Sequence, residues 1–225
     1  MWFAGPAARV PAAGRPRVLR LGFDLTPGKR VGLFGGSFNP AHAGHAHVAE
    51  TALRRLGLDR VIWLVSPQNP LKPTHETAAM TRRIWGALRY AQGPSMIVSD
   101  AETRIGSYYT IDTLRVLKAR YPGVCFVWIM GADSLASFHR WRGWTQIMRE
   151  TPVAVIARPW AAVKSRSSPA AARFAFARLP ARSARTLPCR EPPAWVYLTA
   201  PLNFTSSTAL RRASDGREAA LQIPT

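Results

Sequence analysis

The chain has 225 residues, of which 47% are hydrophobic, and this suits one α/β domain with a sizeable core. It has no apolar run of about 18 residues, so we expect no membrane-spanning helix. The N-terminus lacks the apolar core of a secretory signal, so we expect a cytoplasmic location. The two cysteines, Cys125 and Cys189, lie in unlike surroundings and predict neither a disulfide framework nor a zinc site.

The formal net charge of +19 raises the question of a nucleic-acid ligand. Residues 1–30 contain six basic residues and one acidic residue, and residues 160–193 contain seven and one, so much of the excess lies in two peripheral segments. No recognition-helix or aromatic-interleaved motif accompanies this charge. We therefore do not expect specific nucleic-acid binding, although a basic nucleic-acid-binding protein stays an alternative.

Composition divides the chain into three parts. Residues 1–28 are a basic extension rich in proline and alanine, in which Val18 to Leu25 could form a short strand or a packing arm. Residues 29–215 form a single domain, with a basic insert rich in Ala, Arg, Ser and Pro at about 161–193. Residues 216–225 are a C-terminal tail.

The most informative stretch is Val31 to His45, whose pattern predicts a strand, a glycine-rich turn and the start of a helix. Val31 to Phe34 is a short apolar run, and the helical spacing of apolar residues begins at Ala46 and ends before Gly57, the expected C-cap. Helix N-termini bind phosphates, and glycines allow the backbone to approach them closely. The histidines at 42 and 45 are three residues apart, so both imidazoles can converge there. The alternative is a junction with two solvent-facing histidines.

Further apolar runs predict buried strands that alternate with helices. Val124–Met130 is the most hydrophobic run, which favours the centre of the sheet. A helix at Ala79–Ala91 has Leu88 on its inward face, and its arginines are expected on a solvated face. The remaining predicted strands are Arg60–Val65, Ser95–Ser99, Pro152–Ala157 and Trp195–Leu198, with a helix from Ile111 to Leu117, a loop at Asp100–Arg104 and one basic helix at Ala170–Leu179. This order predicts an α/β fold with an open parallel sheet and helices on both faces.

Polar and aromatic residues follow several of these strands, where ligands of open parallel sheets bind. Each has a plainer alternative role: a surface lysine, a helix cap, or an aromatic ring that covers the core. A segment near the end of the chain places hydroxyls at a helix start with an arginine one turn later, which is a second phosphate-binding pattern or an ordinary cap. The residues concerned are Lys72, Tyr109, Thr110 (a possible helix cap), Gly131, Asp133, Trp141, Ser206, Ser207, Thr208 and Arg211.

The stretch Gly35-Gly36-Ser37-Phe38-Asn39-Pro40 followed by His42-x-Gly-His45 resembles the signature of the nucleotidylyltransferase superfamily. Its members share a Rossmann-like fold and transfer a nucleoside monophosphate from a triphosphate with release of pyrophosphate. The later motifs narrow the resemblance to the bacterial nicotinate-nucleotide adenylyltransferases and extend it over residues 31–212. These motifs are Ser107-Tyr-Tyr-Thr110, Gly131-x-Asp133-Ser-Leu, Phe138-x-x-Trp141 and Ser206-Ser-Thr-x-x-Arg211.

The resemblance implies that ATP and nicotinate mononucleotide react to deamido-NAD and pyrophosphate, a step in NAD biosynthesis. It assigns catalytic roles to His42, His45 and Arg211, and mononucleotide contacts to Lys72, Tyr109, Thr110 and Trp141. ATP contacts are implied for both histidines and for Gly35, Gly36, Ser37, Phe38, Gly131, Asp133, Ser206, Ser207, Thr208 and Arg211. Mg²⁺ is expected to arrive with ATP and not at a protein metal site. An enzyme of the superfamily with another acceptor, such as nicotinamide mononucleotide, stays an alternative, and a homo-oligomer stays open.

Overall fold

The computed structural model describes residues 21–67, 78–157 and 165–199, and these contain a seven-stranded sheet. The strands are β1 (Arg30–Gly36), β2 (Arg60–Val65), β3 (Met96–Ser99), β4 (Cys125–Gly131), β5 (Val153–Ile156), β6 (Arg178–Leu179) and β7 (Trp195–Leu198). They lie in the order β3-β2-β1-β4-β5-β7-β6, and every neighbouring pair is parallel. The prediction of an open parallel sheet is confirmed, with β4 at its centre.

Helices cover both faces of the sheet, so the inner strands β1, β2, β4, β5 and β7 are buried on two sides, whereas the edge strands β3 and β6 are only partly buried. The helices are α1 (Ala43–Leu56), α2 (Met80–Leu88), α3 (Ala101–Ile105), α4 (Thr110–Arg120), α5 (Ala132–Ser137), α6 (Trp144–Glu150) and α7 (Pro169–Arg173). The core under α1 and α2 includes Val48, Ala87 and Trp63, and the core under α4 to α7 includes Leu114 and Phe138. The chain is therefore a three-layer α/β fold of the Rossmann-like type.

The direction of the chain across the sheet reverses between β1 and β4. From β1 the chain proceeds through β2 to β3 at one end of the sheet, and it then returns to place β4 on the other side of β1. The turns after β1 and β4 therefore lie side by side at the carboxyl edge of the sheet, the edge at which its parallel strands end. Ligands of such sheets bind at this switch point.

All six predicted strands are present, and β2 and β7 have the predicted bounds. Gly57 ends α1 with φ 62° and ψ 46°, and its N–H donates to the carbonyl of Leu53, as the C-cap prediction requires. The short strand β6 was not predicted, because two residues are too few to show a period. It pairs with Trp195 and Val196 at the edge of the sheet.

Two predictions about connecting segments are wrong. Asp100–Arg104 is not a loop, since α3 begins at Ala101 and ends before Gly106, whose φ of 74° terminates it. The segment Ala170–Leu179 is not one basic helix, because α7 stops at Arg173 and a 3₁₀ turn and β6 follow. The described part of the predicted insert, residues 165–193, therefore adds a strand to the sheet.

Residues 21–25 form a packing arm and not a strand. Leu21 is buried, and its carbonyl accepts a hydrogen bond from Ser99 Oγ at 2.7 Å. The carbonyl of Phe23 accepts another from the hydroxyl of Tyr121 at 3.0 Å, and the two rings lie 5.8 Å apart. The arm thus anchors the chain to β3 and α4 before β1 begins.

The two cysteines form a disulfide between the start of β4 and the segment that precedes β7. The expectation that Cys125 and Cys189 make no disulfide framework is wrong, because the fold brings together residues that are 64 positions apart. The bond lies at the amino edge of the sheet, on the side opposite the turns after β1 and β4. Among the described residues, no helix is long and apolar enough to cross a membrane.

Candidate active site

Two histidines fix the start of α1. His42 is its N-cap, and His42 Nδ1 accepts a hydrogen bond from the N–H of Gly44 at 3.0 Å. In return, His45 Nδ1 accepts from the N–H of His42 at 3.2 Å, so the two residues form a capping box. Their ring centroids are 3.9 Å apart, which confirms that both imidazoles meet at this helix end. The predicted helical spacing begins at Ala46, whereas α1 begins at Ala43. Histidine is not among the usual N-cap residues, so the sequence does not indicate this earlier start.

The capping box determines which ring nitrogens can donate. Both Nδ1 atoms accept backbone hydrogen bonds, so a neutral ring at either position carries its proton on Nε2. A protonated Nε2 can donate to a phosphate oxygen. His42 is only 1% exposed, whereas His45 is half-buried and retains accessible surface. His45 therefore has the more direct access to a ligand.

Aromatic side chains support His45 from below. Phe38 contacts its ring edge-on at 5.1 Å between centroids, and Phe34 lies 6.2 Å away. Phe38 has φ 46°, a left-handed backbone conformation that turns the chain and directs its side chain into the core. It is 1% exposed and packs on Trp63, so any contact of Phe38 with ATP would have to come from its backbone.

The two glycines at the end of β1 are required by packing. A Cβ at Gly35 would overlap the indole ring of Trp128, and a Cβ at Gly36 would lie 3.1 Å from the ring of Phe38. The sequence analysis predicts a different reason for these glycines, namely that they let the backbone approach a phosphate. The two reasons do not exclude each other, since either one is met only by a residue without a Cβ.

The turn after β4 lies beside the turn after β1, since these strands are neighbours. Gly131 is the N-cap of α5 and Asp133 is in its first turn, so Asp133 is not the cap itself. The structure therefore brings Gly131 and Asp133 to the same edge as the histidines, as the switch-point argument predicted.

The aromatic residues proposed for the mononucleotide lie around the start of α4 and the turn before α6. Tyr109 is the N-cap of α4 and Thr110 its first residue, so the prediction that Thr110 caps this helix is wrong by one position. The guanidinium of Arg142 lies 4.4 Å from the centroid of Tyr109, a cation–π contact. Trp141 is half-buried and packs edge-on against Phe138 at 5.2 Å, so one part of its ring covers the core and the rest is accessible.

A buried carboxyl group lies beneath the start of α4 and was not recognised in the sequence. The hydroxyl of Thr113 lies 3.3 Å from Glu102 Oε1 and 3.0 Å from Ser107 Oγ, and Ser107 in turn donates to the carbonyl of Tyr109 at 2.9 Å. Burial raises the pKa of Glu102 to about 7, and the hydrogen bond from Thr113 opposes this shift. The network fixes the backbone at Tyr109.

The buried Arg83 of α2 contradicts the prediction that the arginines of this helix are solvated. It is 3% exposed, and Arg82 and Arg89 on the same helix are exposed as predicted. Burial lowers the pKa of its guanidinium, and its donors reach backbone carbonyls on three segments of the chain. The predicted inward position of Leu88 is also wrong, since it is 41% exposed.

Several predicted site residues lie outside the described residues. These are Lys72, Ser206, Ser207, Thr208 and Arg211. Of the described residues, no group of three or more His, Cys, Asp or Glu side chains comes together as a metal site would require. The described site thus combines a helix N-terminus, two imidazoles and an aromatic wall.

The chain matches the cytidylyltransferase-like family over residues 33–213. A curated relative from Caulobacter sp. (strain K31), named "Probable nicotinate-nucleotide adenylyltransferase", is 75% identical over 182 residues, which are 81% of this chain and 96% of the relative. A relative of the same name from Roseobacter denitrificans is 50% identical over 194 residues, 86% of this chain and 97% of the relative.

Solved structures share the fold at low sequence identity. The nicotinic acid mononucleotide adenylyltransferase of Plasmodium falciparum, in complex with NaAD, aligns with a TM-score of 0.60 and 16% identity over 82% of this chain and 83% of its own. The same enzyme in complex with APC aligns with a TM-score of 0.55 and 18% identity, over the same shares of both chains. At these identities the likeness supports the fold alone.

Proposed function

This chain belongs to the nicotinate-nucleotide adenylyltransferases of the cytidylyltransferase-like family, and we propose how its residues carry out adenylyl transfer from ATP to nicotinate mononucleotide. It is an enzyme, a nucleotidyltransferase of NAD biosynthesis. The single observation that carries the residue-level proposal is the imidazole pair that the capping box of α1 fixes at the switch point of the sheet.

The reaction is a direct in-line displacement at the α-phosphorus of ATP. A phosphate oxygen of the mononucleotide forms the new P–O bond, and the bond from the α-phosphorus to the bridging oxygen breaks, so pyrophosphate leaves with the electron pair. The attacking phosphate is already an anion, so the step needs no general base. Catalysis therefore depends on the position of the reactants and on stabilisation of the developing negative charge.

His45 and His42 supply that stabilisation together with the helix end that they cap. The Nε2–H of His45 donates to a phosphate oxygen of ATP, because its Nδ1 is already engaged with the N–H of His42. The positive end of the α1 dipole lies at the same place. His42 fixes this geometry and, where the site opens to the ligand, adds a second donor. These donors are set in advance, so they favour the transition state without reorganisation.

The remaining contacts follow from the position of each residue at the carboxyl edge. Gly131 and Asp133 contact the adenosine beside the turn after β1, and the accessible part of the Trp141 ring stacks on the nicotinate ring near Tyr109 and Thr110. The residues outside the described part keep their predicted roles: Lys72 at the mononucleotide, and Ser206, Ser207, Thr208 and Arg211 at the triphosphate. Mg²⁺ enters as part of the Mg-ATP substrate. The expected location of the enzyme is the cytoplasm.

Pyrophosphate release from Mg-ATP tests the acceptor. The assay compares nicotinate mononucleotide with nicotinamide mononucleotide at equal concentrations, and an inorganic pyrophosphatase coupling reports turnover. We expect a strong preference for nicotinate mononucleotide. Equal turnover with both would contradict the acceptor assignment, and turnover with neither would contradict the reaction and return attention to a nucleic-acid ligand for the basic segments.

A further inference from the structure

The guanidinium of Arg83 has every donor engaged. Its Nε donates to the carbonyl of Ala78 at 2.9 Å. One terminal nitrogen donates to the backbone carbonyls of Ser37 at 3.0 Å and Ser66 at 2.7 Å, and the other donates to the carbonyl of Pro67 at 3.0 Å. That second nitrogen also lies 3.6 Å from the sulfur of Met80. A guanidinium has five N–H donors, so this arrangement accounts for all of them.

These contacts join separate parts of the carboxyl edge. Ser37 lies in the turn between β1 and α1, five residues before His42. Ser66 and Pro67 directly follow β2, and Ala78 precedes α2. One side chain thus connects the turn that leads to the catalytic histidines with the backbone on both sides of residues 68–77. In the described part of the chain, it is the carbonyl dipoles and no carboxylate that compensate the buried charge.

An arginine is not needed at this position if its only role is to fill buried space. A buried positive charge is unfavourable unless it is fully hydrogen-bonded, and an apolar side chain of similar volume would fill the same space without that penalty. What the apolar side chain cannot do is hold four carbonyls in one fixed arrangement. Arginine does this because its donors are coplanar and rigid, whereas lysine offers three donors from a single point.

We propose that Arg83 is a positioning residue for adenylyl transfer: it sets the turn that carries His42 and His45 relative to the chain that follows β2. This rests on the proposed function, in which those histidines bind the phosphates of ATP. Arg83 itself touches neither substrate. Its effect on the reaction is transmitted through the carbonyl of Ser37 to the helix end, where a displacement on the order of 1 Å is enough to reduce the rate about a hundredfold.

The test compares Arg83→Met with Arg82→Met, a matched change at the exposed neighbouring arginine. Steady-state kcat and KM are measured for both substrates at a temperature well below the Tm of each variant. We expect Arg83→Met to lower kcat about a hundredfold and Arg82→Met to leave it near wild type. Arg83→Lys keeps the charge but not the planar donors, so its kcat should lie between those of the other two variants. It also provides a second variant if Arg83→Met does not fold.

A double-mutant cycle with His45→Ala separates positioning from general destabilisation. If Arg83 acts through the turn between β1 and α1, Arg83→Met should lower kcat less than about tenfold in the His45→Ala background. The reason is that the contact of His45 with ATP, which Arg83 positions, is already absent there. The proposal would be overturned if the loss of kcat in the double mutant equals the product of the losses in the two single mutants. It would also be overturned if Arg83→Met lowers the Tm but leaves kcat and KM unchanged. Absence of turnover in the wild-type enzyme would instead contradict the proposed function, so the two failures are distinguishable.

Discussion

The two edges of the sheet differ in how their polar groups are buried. At the carboxyl edge several polar side chains are directed into the protein: Arg83 donates to the backbone after β1 and β2, and Glu102 lies buried beneath the start of α4. His42 is likewise buried and bonds to the backbone of its own helix. Each of these groups fixes a segment that lies next to the proposed ligand. The ion pair between Asp100 and Arg104, directly after β3, is the exposed counterexample at this edge.

At the amino edge the polar groups are exposed ion pairs. Arg115 of α4 binds both carboxylate oxygens of Glu150 at 2.9 and 2.5 Å, and Lys118 donates to the carbonyl of the same residue. Asp59 lies 3.8 Å from both Lys29 and Arg30. Exposed pairs of this kind contribute little to stability because water and salt screen them.

In the proposed function, the buried polar groups of the carboxyl edge hold the backbone around the reactants, whereas the exposed pairs of the amino edge only contact one another at the surface. Burying a polar group is unfavourable unless all its hydrogen bonds are made, so a buried network specifies one arrangement of the backbone. In the proposed reaction the carboxyl edge needs that specificity, because the reactants must be held in line. We therefore expect substitutions at the carboxyl edge to change the reaction, and those at the amino edge to change stability slightly.

The largest effect is expected at His45. His45→Ala should lower kcat about a hundredfold or more with a smaller change in the KM for ATP, since the contact strengthens as charge develops. His45→Glu keeps an acceptor for the N–H of His42 and thereby the capping box. It should retain the stability of α1 and yet be as inactive as His45→Ala, because a carboxylate repels the phosphates.

His47, one half-turn further along α1, supplies the control for that series. It is half-buried like His45 but is not part of the capping box. His47→Ala should retain near wild-type kcat. If His45→Ala retains it as well, the imidazole has no catalytic role and the proposed division of work at the helix end is wrong.

A smaller, more selective effect is expected at Trp141. Trp141→Ala should raise the KM for nicotinate mononucleotide by up to about tenfold, as the loss of one stacking contact of about 0.5–1.5 kcal/mol predicts, with little change in the KM for ATP. Trp144→Ala removes a neighbouring half-buried indole that packs on Phe138 and Phe174, and so controls for lost packing. An increase confined to the KM for ATP would mean that the two pockets are exchanged.

The last effects concern stability and not the reaction, because the pKa values of two carboxyl groups are shifted in opposite directions, upward for Glu102 and downward for Glu150. The pKa of Glu102 is raised to about 7 in the folded protein, so the folded state holds its proton longer than the unfolded state does. Its contribution to stability therefore falls as pH rises from about 4.5 to about 7, by at most about 3 kcal/mol. Glu102→Gln should remove this slope and raise the Tm more at pH 8 than at pH 5.

Glu150 provides the matched case at the amino edge. The hydrogen bond from Arg115 lowers the pKa of Glu150. The contribution of Glu150 to stability is therefore present above the pKa of the unfolded state and is lost as the pH falls through the lower pKa of the folded state. Glu150→Gln should therefore lower the Tm slightly at pH 8 and less at acid pH, with kcat unchanged. The same direction of change in Tm for both variants would contradict the opposite pKa shifts of Glu102 and Glu150.

Local patterns in the sequence determined much of the fold and part of the site. Six strands were recognisable because a strand buried on both faces is a nearly continuous apolar run, and Gly57 because a helix end favours glycine. The histidines at positions 42 and 45 were recognisable because they follow a strand and a glycine-rich turn. In each case the signal lies within a few residues of the feature that it specifies.

Features whose partners are distant in the chain become visible only once the chain is folded. Arg83 looked like a surface arginine because the carbonyls that it binds belong to Ser37, Ser66, Pro67 and Ala78, and carbonyls leave no mark in a sequence. Glu102 and the two cysteines were missed for the same reason. The physical cause is that burial and hydrogen-bond satisfaction are properties of a site that several segments build together, and no single segment reports them.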